Sequence, residues 1–181
     1  MAQVPLTKLR SWDVIASNER KGRITMRIPF YVVEEDLTVK VPLVWDYDDL
    51  KLLENLEGLV ETVKGKRVLE IGGGNGYLAY YLSRFTRRYD VYETFPPYVM
   101  VYTVYIQPHA VRERLPLNYI VKYLTDEDLD ALDSYDIGIY SGLSDAEHIL
   151  AMLRKKCDKV IHIRSEWMGY KKRLVWEEVS K

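Results

Sequence analysis

The chain has little that would tie it to a disulfide framework, a metal or a membrane. It holds one cysteine, Cys157, so no intrachain disulfide can form. Its three histidines, His109, His148 and His162, are scattered and have no zinc-ligand spacing with that cysteine, so no metal site is predicted. The longest apolar stretch, Phe95 to Ile106, is too short to span a bilayer. The opening residues Met1 to Pro5 lack the apolar core of a secretory leader, so a cytoplasmic protein without membrane contact is expected. Charge of neither sign dominates: 26 Lys and Arg face 27 Asp and Glu, which argues against a coat-like nucleic-acid binder. Glutamine is confined to Gln3 and Gln107, tyrosine reaches 15 residues and 29% of residues are charged, a composition that leans toward thermophilic proteins.

A core is nevertheless well provided for. Of 181 residues 48% are apolar, enough for one ordinary domain and too little chain for two. Residues 1–22 are polar and irregular. Arg23–Val33 and Leu37–Trp45, rich in β-branched and aromatic residues and separated by Glu34-Glu35-Asp36, read as a β-hairpin. Asp46 then opens a helix closed by Gly65, with Leu52, Leu53, Leu56, Leu59, Val60 and Val63 at helical spacing. Residues 1–64 thus form an extension packed on a main domain of residues 65–181, the two making one folding unit.

From Arg67 onward strands and helices alternate. Strands are expected at Arg67–Ile71, Tyr89–Glu93, Asn118–Leu124, Tyr135–Tyr140 and Lys159–Arg164, with a last one at Tyr170–Val179. Helices are expected at Tyr77–Phe85, at Asp126–Leu132, and from a capping box at Ser144–Glu147 to about Lys156. Pro97–Ile106 is ambiguous, strand-like in composition and helix-like in its place in the order. This is the pattern of an α/β protein, a doubly wound and mainly parallel sheet with helices on both faces.

The chemistry concentrates in Val68-Leu69-Glu70-Ile71-Gly72-Gly73-Gly74-Asn75-Gly76-Tyr77. A strand feeds a glycine turn that feeds a helix, and without Cβ atoms the backbone can take positive φ and let a ligand approach. The dinucleotide pattern G-x-G-x-x-G fails here, since Tyr77 stands where its last glycine would be and Ala79 fails it from Gly74. No Lys-Ser or Lys-Thr follows, so the phosphate loop is absent too. The text reads E-x-G-x-G-x-G, on Glu70, Gly72, Gly74 and Gly76.

This motif resembles the first motif of the class I, Rossmann-like, S-adenosylmethionine-dependent methyltransferases. The resemblance covers residues 65–165. It implies that Glu70 helps hold the amino end of S-adenosylmethionine and that Gly72, Gly73, Gly74 and Gly76 approach its methionine part. Glu93, ending the second strand, matches the acidic residue that takes both ribose hydroxyls. Thr94 and Phe95 would then lie beside the adenine, Asp126 near its amino group, and Ser141-Gly142 where the acceptor pocket opens. A carboxylate also suits a ligand bearing ammonium and sulfonium charge better than a pyrophosphate.

The resemblance implies a methyltransferase whose acceptor (RNA, protein or small molecule) is open. The alternatives are a non-catalytic binding or assembly protein on this fold and, with less support, an NAD-dependent oxidoreductase. No catalytic residue is assigned. Phe95-Pro96-Pro97-Tyr98 resembles an amino-methylating motif but follows the second strand rather than the fourth, so it reads as a stiff start to a helix. Cys157 reads as a packed thiol, His109 and His148 as surface or capping residues, and His162 as a packed strand residue. The basic runs at Arg20–Arg23, Arg87-Arg88, Lys155-Lys156 and Lys171–Arg173 read as solvated faces and leave RNA contact open. Only 16 residues follow Ser165, fewer than the family's final strand pair uses. The sheet edge is therefore expected from the hairpin, whose Tyr31 and Trp45 could also cap the cleft, or from a second subunit in a homodimer.

Overall fold

The computed structural model describes residues 47–141, 146–168 and 171–179. The expected hairpin with Tyr31 and Trp45, the Arg20–Arg23 run, Gly142 and the cap at Ser144 lie outside the described residues.

The elements run in the order α1 (Tyr47–Leu52), α2 (Leu56–Val63), β1 (Arg67–Ile71), α3 (Tyr77–Leu82), β2 (Arg88–Glu93), α4 (Pro96–Val101), a π-helical turn (Tyr102–Ile106), α5 (Gln107–Arg112), β3 (Leu117–Val121), α6 (Asp126–Ala131), β4 (Tyr135–Tyr140), α7 (Ala146–Lys156), β5 (Cys157–Met168) and β6 (Lys171–Val179). The six strands form one sheet in the order β3-β2-β1-β4-β5-β6. All neighbours are parallel except β5 and β6. The chain enters at β1, winds outward through β2 and β3, then returns to β4 on the other side. The crevice where the winding reverses lies between β1 and β4, at their carboxyl ends, the usual place for a ligand in such sheets.

The sheet is buried on both faces, and the middles of β1 and β4 carry apolar side chains toward both. On one face Val68, Tyr89, Val91, Ile137, Ile139 and Ile161 pack with Leu59, Val63, Leu78, Leu82, Tyr102 and Ile106 from α2, α3 and the π-helical turn. On the other, Leu69, Tyr92, Tyr140 and Val160 pack with Leu129 of α6 and Leu150 and Leu153 of α7. Cys157 is buried there, and a Cβ on Gly138 would stand 2.9 Å from its sulfur. The thiol is packing, as expected.

Two expectations are corrected and one ambiguity is resolved. The single helix from Asp46 to Gly65 is two helices, α1 and α2. Between them Leu53 bridges to Leu174 and the Glu54 N–H donates to the Leu174 carbonyl at 2.8 Å, so this stretch gives up helical bonds to pair with β6. Asn55, left-handed at φ 53°, restarts the helix by accepting from the Gly58 N–H at 3.1 Å. The ambiguous Pro97–Ile106 segment is helical and continues to Arg112, with Pro96 and Pro97 at its first turn where no N–H is needed. β5 runs well past Arg164 to Met168, long enough for β6 to pair along it from Val160↔Val179 to Met168↔Lys171. One antiparallel strand thus follows the parallel set, and the Leu53–Glu54 segment meets its outer edge at Leu174.

Asp90, fully buried in the middle of β2, ties three strands together. It accepts from Arg88 Nη2 at 2.8 Å, from Asn118 Nδ2 of β3 at 2.7 Å and from the Tyr135 hydroxyl of β4. Removing the carboxylate would leave the buried Tyr135 hydroxyl without its acceptor and release the exposed Arg88 and Asn118 side chains to solvent, so Asp90→Ala is expected to cost about 2 kcal/mol. Urea unfolding checks this, and a cost below about 1 kcal/mol would contradict it.

Candidate functional site

The site is built where β1 and β2 end. Gly72 continues the ladder, its N–H donating to the Tyr92 carbonyl at 2.8 Å. The loop then turns through positive φ at Gly72 (73°), Gly74 (57°) and Gly76 (73°) before α3 begins. Buried Asn75 accepts from the Tyr77 N–H at 3.2 Å and shapes the last step of the turn. Space is as restrictive as dihedral angle. A Cβ on Gly73 would stand 2.3 Å from Val91 Cγ1, and one on Gly76 would stand 2.7 Å from Tyr102 Cδ2 and 3.1 Å from Tyr119 Cε2. The loop therefore presents backbone alone.

Two carboxylates flank it. Glu70, with no exposed surface, lies behind the loop, its carboxyl 3.3 Å from where a Gly73 Cβ would be. It accepts from the Tyr89 hydroxyl at 3.0 Å and the Ser141 hydroxyl at 3.2 Å. Burial pushes its pKa up to about 7. The two hydroxyls oppose that shift, and the charge of Glu93 adds to it. Glu93 accepts from the Gly74 N–H at 2.9 Å on Oε2, and from the Thr94 and Phe95 N–H groups at 2.7 and 2.8 Å on Oε1. Among the described residues no Lys or Arg side chain pairs with either carboxylate. Two acidic groups without a counter-cation make a local field that attracts positive charge and repels phosphate.

Glu70, Gly72, Gly73, Gly74, Gly76, Glu93, Thr94, Phe95 and Ser141 are thus brought together. The Thr94 side chain is exposed, and the Phe95 ring, 39% exposed, rests edge-on against Tyr98 with centroids 5.2 Å apart. Asp126 has no hydrogen bond to Glu70, Glu93 or the loop among the described residues. It opens α6 and pairs with Lys155 at 2.7 Å, which holds its carboxyl below the usual range. The capping of α6 falls to Thr125 and Asp128.

The remaining candidates have structural partners or lie exposed on the surface. His109 meets Arg112 at 2.7 Å, His148 is exposed on α7, and His162 stacks on Tyr140 with centroids 5.6 Å apart. Arg88 is held by Asp90 at 2.8 Å, Lys155 by Asp126 at 2.7 Å, and Arg173 by Glu166 and Glu54 at 2.6 and 2.7 Å. The sequence reading missed Tyr89, Tyr102 and Tyr119, which surround the loop from β2, the π-helical turn and β3. Among 15 tyrosines, nothing local marked these three.

No family model and no curated protein matches this chain by sequence. Solved structures do match it in fold. A SAM-dependent methyltransferase from Aquifex aeolicus superposes with TM-score 0.53 at 17% identity, covering 70% of this chain and 72% of that one. Precorrin 8W decarboxylase from Methanobacterium thermoautotrophicum gives 0.51 at 16%, covering 75% and 88%. A SAM-dependent methyltransferase from Agrobacterium tumefaciens gives 0.52 at 12%, and this chain spans 47% of that protein's length. The chain shares a Rossmann-like α/β fold with these structures. Among the described residues no helix is long and apolar enough to cross a membrane, and no cluster of His, Cys, Asp and Glu could hold a metal ion.

Glu70 gives the site a pH signature. Its native pKa of about 7 lies above the 4.5 of an unperturbed glutamate, so the native state holds the proton more tightly than the unfolded chain. The associated stability is full below pH 4.5 and is lost as pH rises to about 7, by an amount on the order of 3 kcal/mol. His162, lowered by burial, acts in the opposite direction as it loses its proton. The readout is therefore the difference between wild type and Glu70→Gln. Glu70→Gln is expected to gain stability relative to wild type between pH 5 and about 7.5 in thermal melts, and parallel curves would contradict the assignment.

Proposed function

We propose that this chain binds S-adenosylmethionine at the carboxyl ends of β1 and β2 and acts as a methyltransferase. The observation that carries this reading is the pairing of Glu70 and Glu93 around a loop of bare backbone, with no cation among the described residues paired to either carboxylate. The donor set fits the group. Glu93 keeps one carboxylate acceptor position open for a sugar hydroxyl, Glu70 supplies negative charge behind the loop for an ammonium group, and Gly73 and Gly76, where a Cβ would strike Val91, Tyr102 and Tyr119, let the bare loop seat against these side chains. The same features disfavour a pyrophosphate, and with it NAD.

When bound, the cofactor supplies an electrophilic methyl group on a sulfonium. The residues of this chain bind and orient. Gly72 to Gly76 allow close approach, Glu93 fixes a sugar edge, and Ser141, at the end of β4, holds Glu70 beside the crevice. Transfer to an acceptor that is already nucleophilic depends on positioning and exclusion of water, which this arrangement serves without a catalytic acid–base pair.

Isothermal titration with S-adenosylmethionine and S-adenosylhomocysteine tests the reading. Wild type is expected to bind both, Glu93→Ala to weaken binding at least tenfold, and Asp126→Ala to match wild type. Absence of binding, or equal binding by Glu93→Ala, would overturn it. Transfer of tritiated methyl into fractionated cell extract, above a Glu70→Ala background, separates the enzyme from a binding protein that keeps the site without turnover.

A further inference from the structure

Gly74 is held from both sides. Its N–H donates to Glu93 Oε2 at 2.9 Å, and its carbonyl accepts from the Tyr119 hydroxyl. Tyr119 belongs to β3, the outer neighbour of β2, so it reaches the loop from across the sheet. Its ring lies flat on Tyr102, with centroids 3.8 Å apart and planes 10° apart, and both rings press on Gly76. Tyr102 opens the π-helical turn and Ile106 closes it, and both are buried. Such turns recur at functional sites. A side chain at Gly76 would push this stack away, so the bare glycine and the two rings require each other.

The hydrogen bonds at Glu93 give this arrangement a consequence for binding. A carboxylate has about four acceptor positions. Thr94 and Phe95 fill Oε1, and Gly74 takes one position on Oε2. The acceptor position left for a ligand hydroxyl is therefore on Oε2, beside the Gly74 N–H. Whatever fixes Gly74 fixes the direction in which that oxygen can accept.

We propose that Tyr119 is a positioning residue for the ligand loop: by donating to the Gly74 carbonyl it keeps the Gly74 N–H on Glu93 and so sets the one Glu93 oxygen left to receive a ligand hydroxyl. This rests on the cofactor reading above. Burial and the charges of Glu93 and Glu70 push the Tyr119 phenol well above its ordinary range, so it stays a donor throughout neutral pH. The inference concerns a residue two strands from β1, outside the glycine motif and the acidic position that ends β2.

The test uses the full chain with Tyr119→Phe, which keeps the ring stack and removes only the hydroxyl, and with Tyr123→Phe, an exposed tyrosine away from the loop, as a control. Without ligand, amide hydrogen exchange by NMR should show Gly74 exchanging at least tenfold faster in Tyr119→Phe, with Leu69 and Ile139 unchanged. A general loss of stability would speed all three. With S-adenosylhomocysteine, the Kd of Tyr119→Phe should rise about five- to tenfold, the effect of one hydrogen bond, and Tyr123→Phe should match wild type in both measurements. Wild-type exchange at Gly74 in Tyr119→Phe would overturn the proposal, as would faster exchange with unchanged affinity. A wild-type chain that binds no adenosyl ligand would overturn the cofactor reading instead, and the exchange result alone would then decide whether Tyr119 clamps the loop.

Discussion

The structure depends on a turn that must be made without side chains. Between Ile71 and Tyr77 the chain reverses from β1 into α3 through three positive φ angles, at Gly72, Gly74 and Gly76. Val91 stands where a Gly73 Cβ would be, and Tyr102 and Tyr119 close in on Gly76. Any larger residue would push β2, β3 or the π-helical turn outward. Because the loop can come so close to its neighbours, Glu93 can reach Gly74 with a hydrogen bond of 2.9 Å, and Glu70 can sit buried behind the loop beside Tyr89 and Ser141. The geometry of the loop follows from the absence of Cβ atoms.

Electrostatics adds selectivity to that geometry. Glu70 and Glu93 approach a common loop, and their bonded partners are hydroxyls and backbone N–H groups. The strain of keeping both ionised shows in Glu70, which burial and its neighbour push up to about 7. A ligand carrying positive charge relieves it, whereas a phosphate deepens it. The other buried carboxylate, Asp90, lies in the middle of the sheet with Arg88 at 2.8 Å and serves the fold instead. The presence or absence of a paired cation separates the structural carboxylate from the two at the site.

Much of this was legible in the sequence. The strand–glycine–helix text and the acidic residue ending β2 depend on local spacing, and alternation of elements gave the parallel sheet. What was hidden depends on partners far along the chain. Leu53 and Glu54 look helical until Leu174 draws them into pairing. Asp126 resembles a ligand-facing acid in register, but Lys155 on α7 takes it. Pro97–Ile106 has strand-like composition, and only packing against β2 and β3 decides for a helix. Tyr89, Tyr102 and Tyr119 carry no local sign of their role, because the strand order and the packing of the π-helical turn determine that they meet at one loop.

The central claim is that the glycine loop and Glu93 together form the binding edge for an adenosyl ligand. Titrating the ¹⁵N-labelled protein with S-adenosylhomocysteine and mapping amide shifts tests this most directly. The account predicts that the largest changes fall on Gly72, Gly74, Gly76, Thr94 and Phe95, with the distant amides of β6 unmoved. A loop that does not respond, with shifts elsewhere or none at all, would contradict it.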